Sequence, residues 1–411
     1  MLILKNVRVL DVNHEHDDGR YSIVIDGDTI REVTREPVSL PDAQTLDMGG
    51  RTVMPGMIDC HAHVIASVAH LGNNGRLPNT FAVLRAVPIL QGMLNRGFTT
   101  VRDAGGADYA LSKAIEEGVI AGPRLFVAGK ALSQTGGHGD FRERFDNSDP
   151  DPCGCNRNLG AIGRIVDGVD DVRRAVREEM RAGAHHIKIM ASGGVASPTD
   201  PIGNLQFSVD EIKAIVEEAQ SHQTYVMAHA YTAKAISRVV ELGIRTIEHG
   251  NLIDDATAEL MARHGAYAVP TLVTYDAMSK VGAKAGIGES TLLKNEAVRI
   301  QGLRALEILK RHGVKIGLGS DLLGDMHEFQ SDELSIRAEI VGAFETICQA
   351  TAIGAEIVGM QGRLGVVATD AIADLLVVDG DPTQNIHLLT GQGERIAAVM
   401  KAGAWVRRAG F

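Results

Sequence analysis

The sequence is poor in the residues that build several common functional surfaces. Aromatic residues make up 4% of the 411-residue chain, with a single Trp, which argues against stacking platforms for bases or sugars. The four cysteines, Cys60, Cys153, Cys155 and Cys348, are too few for a disulfide framework in so long a chain. The one-residue gap in Cys153-x-Cys155 is shorter than the roughly two to four residues between the cysteines of a zinc knuckle. No Lys/Arg cluster offsets the formal net charge of −11, so phosphate backbones are repelled and nucleic-acid binding is not expected. No apolar run approaches the about 18 residues of a membrane helix. The apolar stretch before Lys5 is shorter than the roughly 7–15 residues of a secretory leader, so a cytoplasmic location is expected. No G-x-G-x-x-G follows the first strand pattern, which argues against a nucleotide-dependent oxidoreductase.

What remains is the balance of a globular chain, with 45% hydrophobic and 23% charged residues. Short strand patterns open it: Leu2 to Leu10, Tyr21 to Ile25, and Thr29 to Val33 after the turn Asp26-Gly27-Asp28. Strand patterns return at Asp374–Asp379 and Ile396–Val406. Between these ends, apolar runs alternate with helical periodicity. Val169, Val172, Val176 and Met180 mark one helix face, stopped by Gly183. Ser208 and Glu211 form a capping box ahead of Ile212, Ile215, Val216 and Ala219. A helix from Glu296 to His312 stops at Gly313 before a strand at 314–318. Repeated alternation of this kind predicts a parallel sheet. Candidate strands near 57–61, 98–102, 124–128, 185–190, 224–228, 244–248, 266–270 and 314–319 suit an α/β fold of the (β/α)8 TIM-barrel class.

The 15 histidines carry the functional signal through their placement. In His61-Ala62-His63 both imidazoles share one strand face, and neutral imidazole is a good ligand for zinc-like ions. Two surface histidines would give the same pattern. His229, His249 and Asp321 each stand where a strand runs out, and in a barrel those ends converge on one mouth. Lys188 lies between Ile187 and Ile189 inside a strand. Such a lysine pairs with an acid, snorkels, or loses its charge and becomes a nucleophilic amine able to take up carbon dioxide. Spacing alone favours the acid pair. His138 sits in the Gly-rich stretch Gly136-Gly137-His138-Gly139, either close to a substrate or in a surface turn. Tyr231 either offers its hydroxyl to a ligand or packs with it satisfied locally. Arg102-Asp103 reads as a structural ion pair, and His185 and His186 as supporting residues.

Taken together these residues resemble the amidohydrolase superfamily. Pro55-Gly56-Met57-Ile58-Asp59-Cys60-His61-Ala62-His63 is similar to its first-strand motif, and Lys188, His229, His249 and Asp321 follow in the order of its other metal ligands. Ser133-Gln134-Thr135-Gly136-Gly137-His138-Gly139-Asp140, Lys188-Ile189-Met190-Ala191-Ser192-Gly193-Gly194, Ala228-His229-Ala230-Tyr231 and Pro198-Thr199-Asp200-Pro201 narrow the resemblance. They look like the imidazolonepropionase-like branch, and within it bacterial prolidase-like dipeptidases. The resemblance spans nearly the whole chain. It implies a barrel over 56–360 and a small β-sandwich built from 1–55 and 361–411. It further implies two divalent ions, usually zinc, bridged by an N6-carboxylated Lys188. His61, His63 and Asp321 would bind one ion, and His229 and His249 the other.

The chemistry implied is amide hydrolysis by a hydroxide between two cations. Asp321 would shuttle the proton to the leaving nitrogen, His138 or a metal would face the oxyanion, and Tyr231 would hold a substrate carboxylate. The expected substrates are Xaa-Pro dipeptides or N-acyl amino acids, extending to conjugates with an aromatic C-terminal residue. Xaa-Arg or Xaa-Lys cleavage, cyclic-amide hydrolysis and a non-catalytic binding barrel are the alternatives. A homo-oligomer is expected.

Overall fold

The computed structural model describes residues 1–15, 19–142, 145–146, 158–197 and 200–408. In it the two ends of the chain meet in one sheet. The first half of Leu2–Val9 pairs with Tyr21–Asp26 and with Gln44–Asp47, and its second half pairs with Thr52–Pro55. The change of partner falls at Asn6, which adopts φ 57° and donates through Nδ2 to Asp47. Asn tolerates this left-handed backbone better than most residues. Leu375–Val378 joins antiparallel to Thr52–Pro55, and Ile396–Lys401 and Ala404–Arg408 extend the edge. Leu4, Ile23, Met48, Val377 and Met400 are buried in one core drawn from both ends. Asp11 fastens them, its Oδ2 accepting the Val367 amide at 2.8 Å.

The strand pattern at Ile396–Val406 is a hairpin rather than one strand. The backbone reverses at Ala402 and Gly403, with φ 48° and 74°, the left-handed pair of a type I′ turn.

The middle of the chain is parallel α/β. Met57–Ala62, Phe98–Asp103 and Arg124–Phe126 form one sheet. Gly163–Ile165, Ala131–Ser133, Ile187–Met190, Val226–Thr232, Thr246–Leu252 and Tyr267–Val269 form another. The two sheets are linked at both ends. The His185 amide donates to the Val127 carbonyl at 2.8 Å, and the Cys60 amide to Leu318 at 2.7 Å. Residues 314–319 supply that second link without becoming a regular strand. They make one bridge, Ile316 with Ala268, and the Leu318 amide turns to the Gln349 carbonyl instead. Gly319 explains the irregular path: a Cβ there would stand 2.8 Å from the His61 Cβ, so the backbone comes closer than a side chain permits.

The helices follow the periodicity. Val169–Arg181 buries Val172, Ala175 and Val176, and Ser208 caps Val209–Ser221 with both hydrogen bonds of the box present. The helix expected from Glu296 begins earlier, at Glu289, and runs to Arg311. No helix of the described residues is long and apolar enough to cross a membrane.

Arg337 locks 314–319 from outside. It is fully buried and donates to Glu333 Oε1 at 2.6 Å, Gln349 Oε1 at 2.7 Å, Gly317 O at 3.1 Å and Pro270 O at 2.5 Å. Arg337→Met leaves Glu333 and three further acceptors unpaired. The expected loss is about 3–5 kcal/mol, read as a lower urea midpoint; a midpoint equal to that of the wild type refutes the role.

Candidate active site

The residues singled out at the strand ends arrive in one place. His61, His63, His138, Lys188, His229, Tyr231, His249 and Asp321 all line a single cavity. Parallel pairing brings them there: Met190 is registered with His229, and Ala230 with His249. His249 and Asp321 both adopt left-handed backbone, φ 72° and 51°. Non-glycine residues held there cluster at functional sites.

The imidazoles are anchored from behind. His61 Nδ1 lies 2.7 Å from Glu248 Oε2, His63 Nδ1–H donates to the Gly105 carbonyl at 2.8 Å, and His249 Nδ1 lies 2.9 Å from Thr271 Oγ1. The Nε2 atoms of His61 and His63 each stand 3.4 Å from Asp321 Oδ1. Ligand atoms of His61, His249 and Asp321 lie within 4.8 Å of one another. Among the described residues, His61 Nε2 is buried with no hydrogen-bond partner. This donor set, two anchored imidazoles and a carboxylate around an orphaned nitrogen, fits a divalent cation. His229 sits differently: Nε2 lies 3.2 Å from the Gly193 carbonyl, and its ring stacks on His138 at 4.2 Å.

The electrostatics suit metal-ligand chemistry. Burial pushes His63 down to about 4 and, with nearby cations, His229 and His249 well below the usual imidazole range. Their lone pairs are therefore free at neutral pH. Burial pushes the Asp321 carboxyl up, but His61, His63 and Lys188 hold it far below the usual carboxylate range. Burial lowers the Lys188 ammonium to about 8, against the opposing pull of Glu248 and Asp321. No ion pair to Lys188 forms among the described residues, so the acid-paired lysine favoured by spacing is not what the fold builds.

Arg102-Asp103 is a correction. Arg102 pairs with Glu248, with Nη2 at 2.9 and 3.1 Å from its two oxygens. Asp103 instead accepts the amides of Val64, Gly105 and Ala107. Adjacent strand residues point to opposite faces, so the two side chains never meet. His185 and His186 are supporting residues as expected: His185 Nδ1 accepts the Val127 amide, and His186 Nε2–H donates to the Asp103 carbonyl. His138 is buried, not in a surface turn. Tyr231 is buried on the cavity wall with its Oη 2.7 Å from Tyr275 Oη. Cys60 and Cys348 are buried free thiols. Cys153, Cys155, Pro198 and Thr199 lie outside the described residues.

Sequence reasoning missed Glu248 and Tyr275. Glu248 is a charge inside the strand Thr246–Leu252, but polar neighbours there blunt the contrast that singles out Lys188. Tyr275 sits in the helix Leu272–Val281 among apolar residues, where nothing distinguishes it from core.

Comparison with known proteins agrees with this geometry. A model of the amidohydrolase family matches residues 52–406. A crystal structure of a prolidase complexed with N-methylphosphonate-L-proline is 56% identical, with TM-score 0.97 and 99% of each chain covered. A Xaa-Pro dipeptidase with bound methionine is 29% identical, with TM-score 0.84, covering 98% of this chain and 99% of that one. Ochratoxinase of Aspergillus niger is 31% identical over 360 residues, covering 85% of this chain and 75% of that protein.

Glu248 sets a testable acid limb. Burial raises its carboxyl, but Arg102 and His61 pull it down to about 2, from an ordinary 4.5. Its contribution to stability is complete above pH 4.5 and is lost as pH falls toward 2. Glu248→Gln lowers the melting temperature at pH 7 and flattens its fall between pH 4.5 and 2. An unchanged slope in that window contradicts the assignment.

Proposed function

The chain belongs to the amidohydrolase family and is a hydrolytic enzyme of mixed α/β fold; from that premise we propose that it is a binuclear metal-dependent hydrolase of small amides bearing a free carboxylate, Xaa-Pro dipeptides foremost. The observation that carries the reading is the convergence of eight sequence-selected side chains on one cavity, in a chain 56% identical to a prolidase across nearly its whole length. The scaffold proposed is a (β/α)8 barrel over 56–360 with a β-sandwich from 1–55 and 361–411. Eight strand-like segments in chain order, hydrogen-bonded edge to edge, support it.

Members of this family generally use metal ions. His61, His63 and Asp321 would hold one ion and His229 and His249 the other, with Lys188, N6-carboxylated, between them. Zinc is the ion the imidazole-rich donor set suits best. When bound, the ions supply Lewis acidity and draw down the pKa of water.

The chain's own groups do the rest. Asp321 takes a proton at its carboxylate and returns it to the leaving nitrogen as the C–N bond breaks. His138 donates to the carbonyl oxygen as charge develops there. Tyr231 and Tyr275 share one mutual hydrogen bond, and the pair has two O–H protons. The second proton is left for the substrate's terminal carboxylate. Leu71, Phe141, Met278 and Leu323 line an apolar wall suited to a ring such as proline.

Among the described residues, that wall carries no carboxylate besides Asp321. A C-terminal Arg or Lys would find no counter-charge, which weighs against that alternative. The likeness to ochratoxinase favours extension to amino-acid conjugates. A carboxylated lysine bridge counts against the cyclic-amide reading. A homo-oligomer working in the cytoplasm completes the proposal.

The test is amine release by zinc-loaded protein from Xaa-Pro, Xaa-Arg, Xaa-Lys and Xaa-Phe dipeptides and N-acyl amino acids, with metal content measured in parallel. The expected result is highest kcat/KM on Xaa-Pro with two ions per chain. Lys188→Ala and Asp321→Asn each lower kcat by at least about 100-fold; near-normal turnover in either refutes the mechanism. Tyr231→Phe raises KM on free-acid substrates more than on their C-terminal amides, and equal losses on both would remove Tyr231 from carboxylate recognition.

A further inference from the structure

The described stretches 191–197 and 200–206 fold back on one another beside the cavity as the two arms of a cinched loop. The Gln206 amide donates to the Ala191 carbonyl and the Gly193 amide to that of Asn204, with a bridge between Ser192 and Leu205. Val195 and Ala196 of this loop line the cavity. The loop is also held from outside. Lys294, on the helix Glu289–Arg311, directs Nζ at three of its carbonyls: Ser197 at 3.0 Å, Asp200 at 3.2 Å and Gly194 at 3.3 Å.

The loop's acidic residue faces the cavity histidine. Asp200 is 1% exposed, and its Oδ2 lies 3.4 Å from His138 Nδ1. The same oxygen accepts Gln206 Nε2 at 3.0 Å, while Gln206 Oε1 accepts the His138 amide at 2.9 Å. The carboxamide thus holds the His138 backbone, while the carboxylate faces Nδ1, a buried ring nitrogen with no hydrogen-bond partner among the described residues. The ring is confined on other sides as well. It stacks on His229 at 4.2 Å and 20°, and any Cβ at Gly194 would stand 2.3 Å from its Cε1. Gly193 lets the loop close, since a Cβ there would meet the Pro201 carbonyl at 1.9 Å.

We propose that Asp200 is a positioning residue: tied to Gln206 and carried on the loop that Lys294 tethers, it fixes the His138 ring so that Nε2 is the nitrogen presented to substrate. This rests on the hydrolase reading, in which His138 donates to the carbonyl oxygen. It gives Asp200 and the paired glycines 193 and 194 one common purpose. A fraction of an ångström in the ring's placement matters because the donor must meet the oxyanion, not the ground-state carbonyl.

The experiment combines kinetics with crystallography. Asp200→Asn keeps the shape but weakens the ring anchor. It is expected to lower kcat by roughly 10- to 100-fold with KM little changed. In a His138→Ala background the same substitution should leave kcat unmoved, since the group it positions is gone. In crystals of Asp200→Asn the His138 ring should leave its stack on His229. An equal fall in both backgrounds, or a ring still stacked at 4.2 Å, overturns the proposal. If the wild-type enzyme releases amine from no substrate, the hydrolase reading fails by itself and the crystallographic arm still decides the placement. Should Asp200→Asn not fold, Lys294→Met tests the same chain from its outer, half-buried end. Its kcat loss should vanish in the His138→Ala background, and a loss of equal size there overturns the tether's role.

Discussion

A fully buried ion pair, Arg102 with Glu248, stands beneath the site and sets its geometry. Arg102 reaches from Phe98–Asp103 to both Glu248 oxygens, to Thr246 Oγ1 and to the Cys60 carbonyl. Glu248 turns its remaining capacity to His61 Nδ1. Three strands from two sheets are therefore registered by one guanidinium and one carboxylate. Removing two charges from water is expensive, and mutual attraction offsets it only when the other polar atoms are also satisfied. Here they are, through Thr246 and a backbone carbonyl. The pair is thus less a source of net stability than a device that admits one arrangement of the strands.

The imidazoles above it obey a simple division. In His61, His63 and His249 one ring nitrogen is held by a carboxylate, a carbonyl or a hydroxyl. Anchoring one nitrogen fixes the ring, and burial keeps His63, His229 and His249 neutral. Those three rings thereby present lone pairs instead of positive charge, the condition for binding a cation. Lys188 follows the same logic, since burial and, in smaller part, Arg102 draw its ammonium down to about 8.

Much of this was legible in the sequence because it depends on short-range rules. Strand ends carrying His61, His229, His249 and Asp321 could be read from where apolar runs stop. The capping box at Ser208 and the helix face of Val172 and Val176 are local patterns. What escaped is non-local. Tyr275 meets Tyr231 only through the packing of a helix whose own sequence is unremarkably apolar. Glu248 had only a blunted signal, and nothing local pointed to its partner 146 residues away. Arg102-Asp103 was misread because adjacency in the chain places strand side chains on opposite faces. The segment 314–319 has strand-like residues, yet Gly319 and the turn of Leu318 toward Gln349 break its ladder.

The sheet shared by the two ends has a consequence for how the chain is made. Leu2–Val9 leans on Thr52–Pro55, whose other neighbour is Leu375–Val378. Ile30 donates to the Ala371 carbonyl, and Asp11 receives the Val367 amide. At roughly 5–20 residues per second of synthesis, the first strands wait some tens of seconds before their partners leave the ribosome. Throughout that interval the core of Leu4, Ile23 and Ile30 lacks the part that Val367, Leu375, Val377, Ala398 and Met400 supply. The strands of 2–55 are therefore sealed only after 367–408 have been made, although they precede those partners by more than three hundred positions.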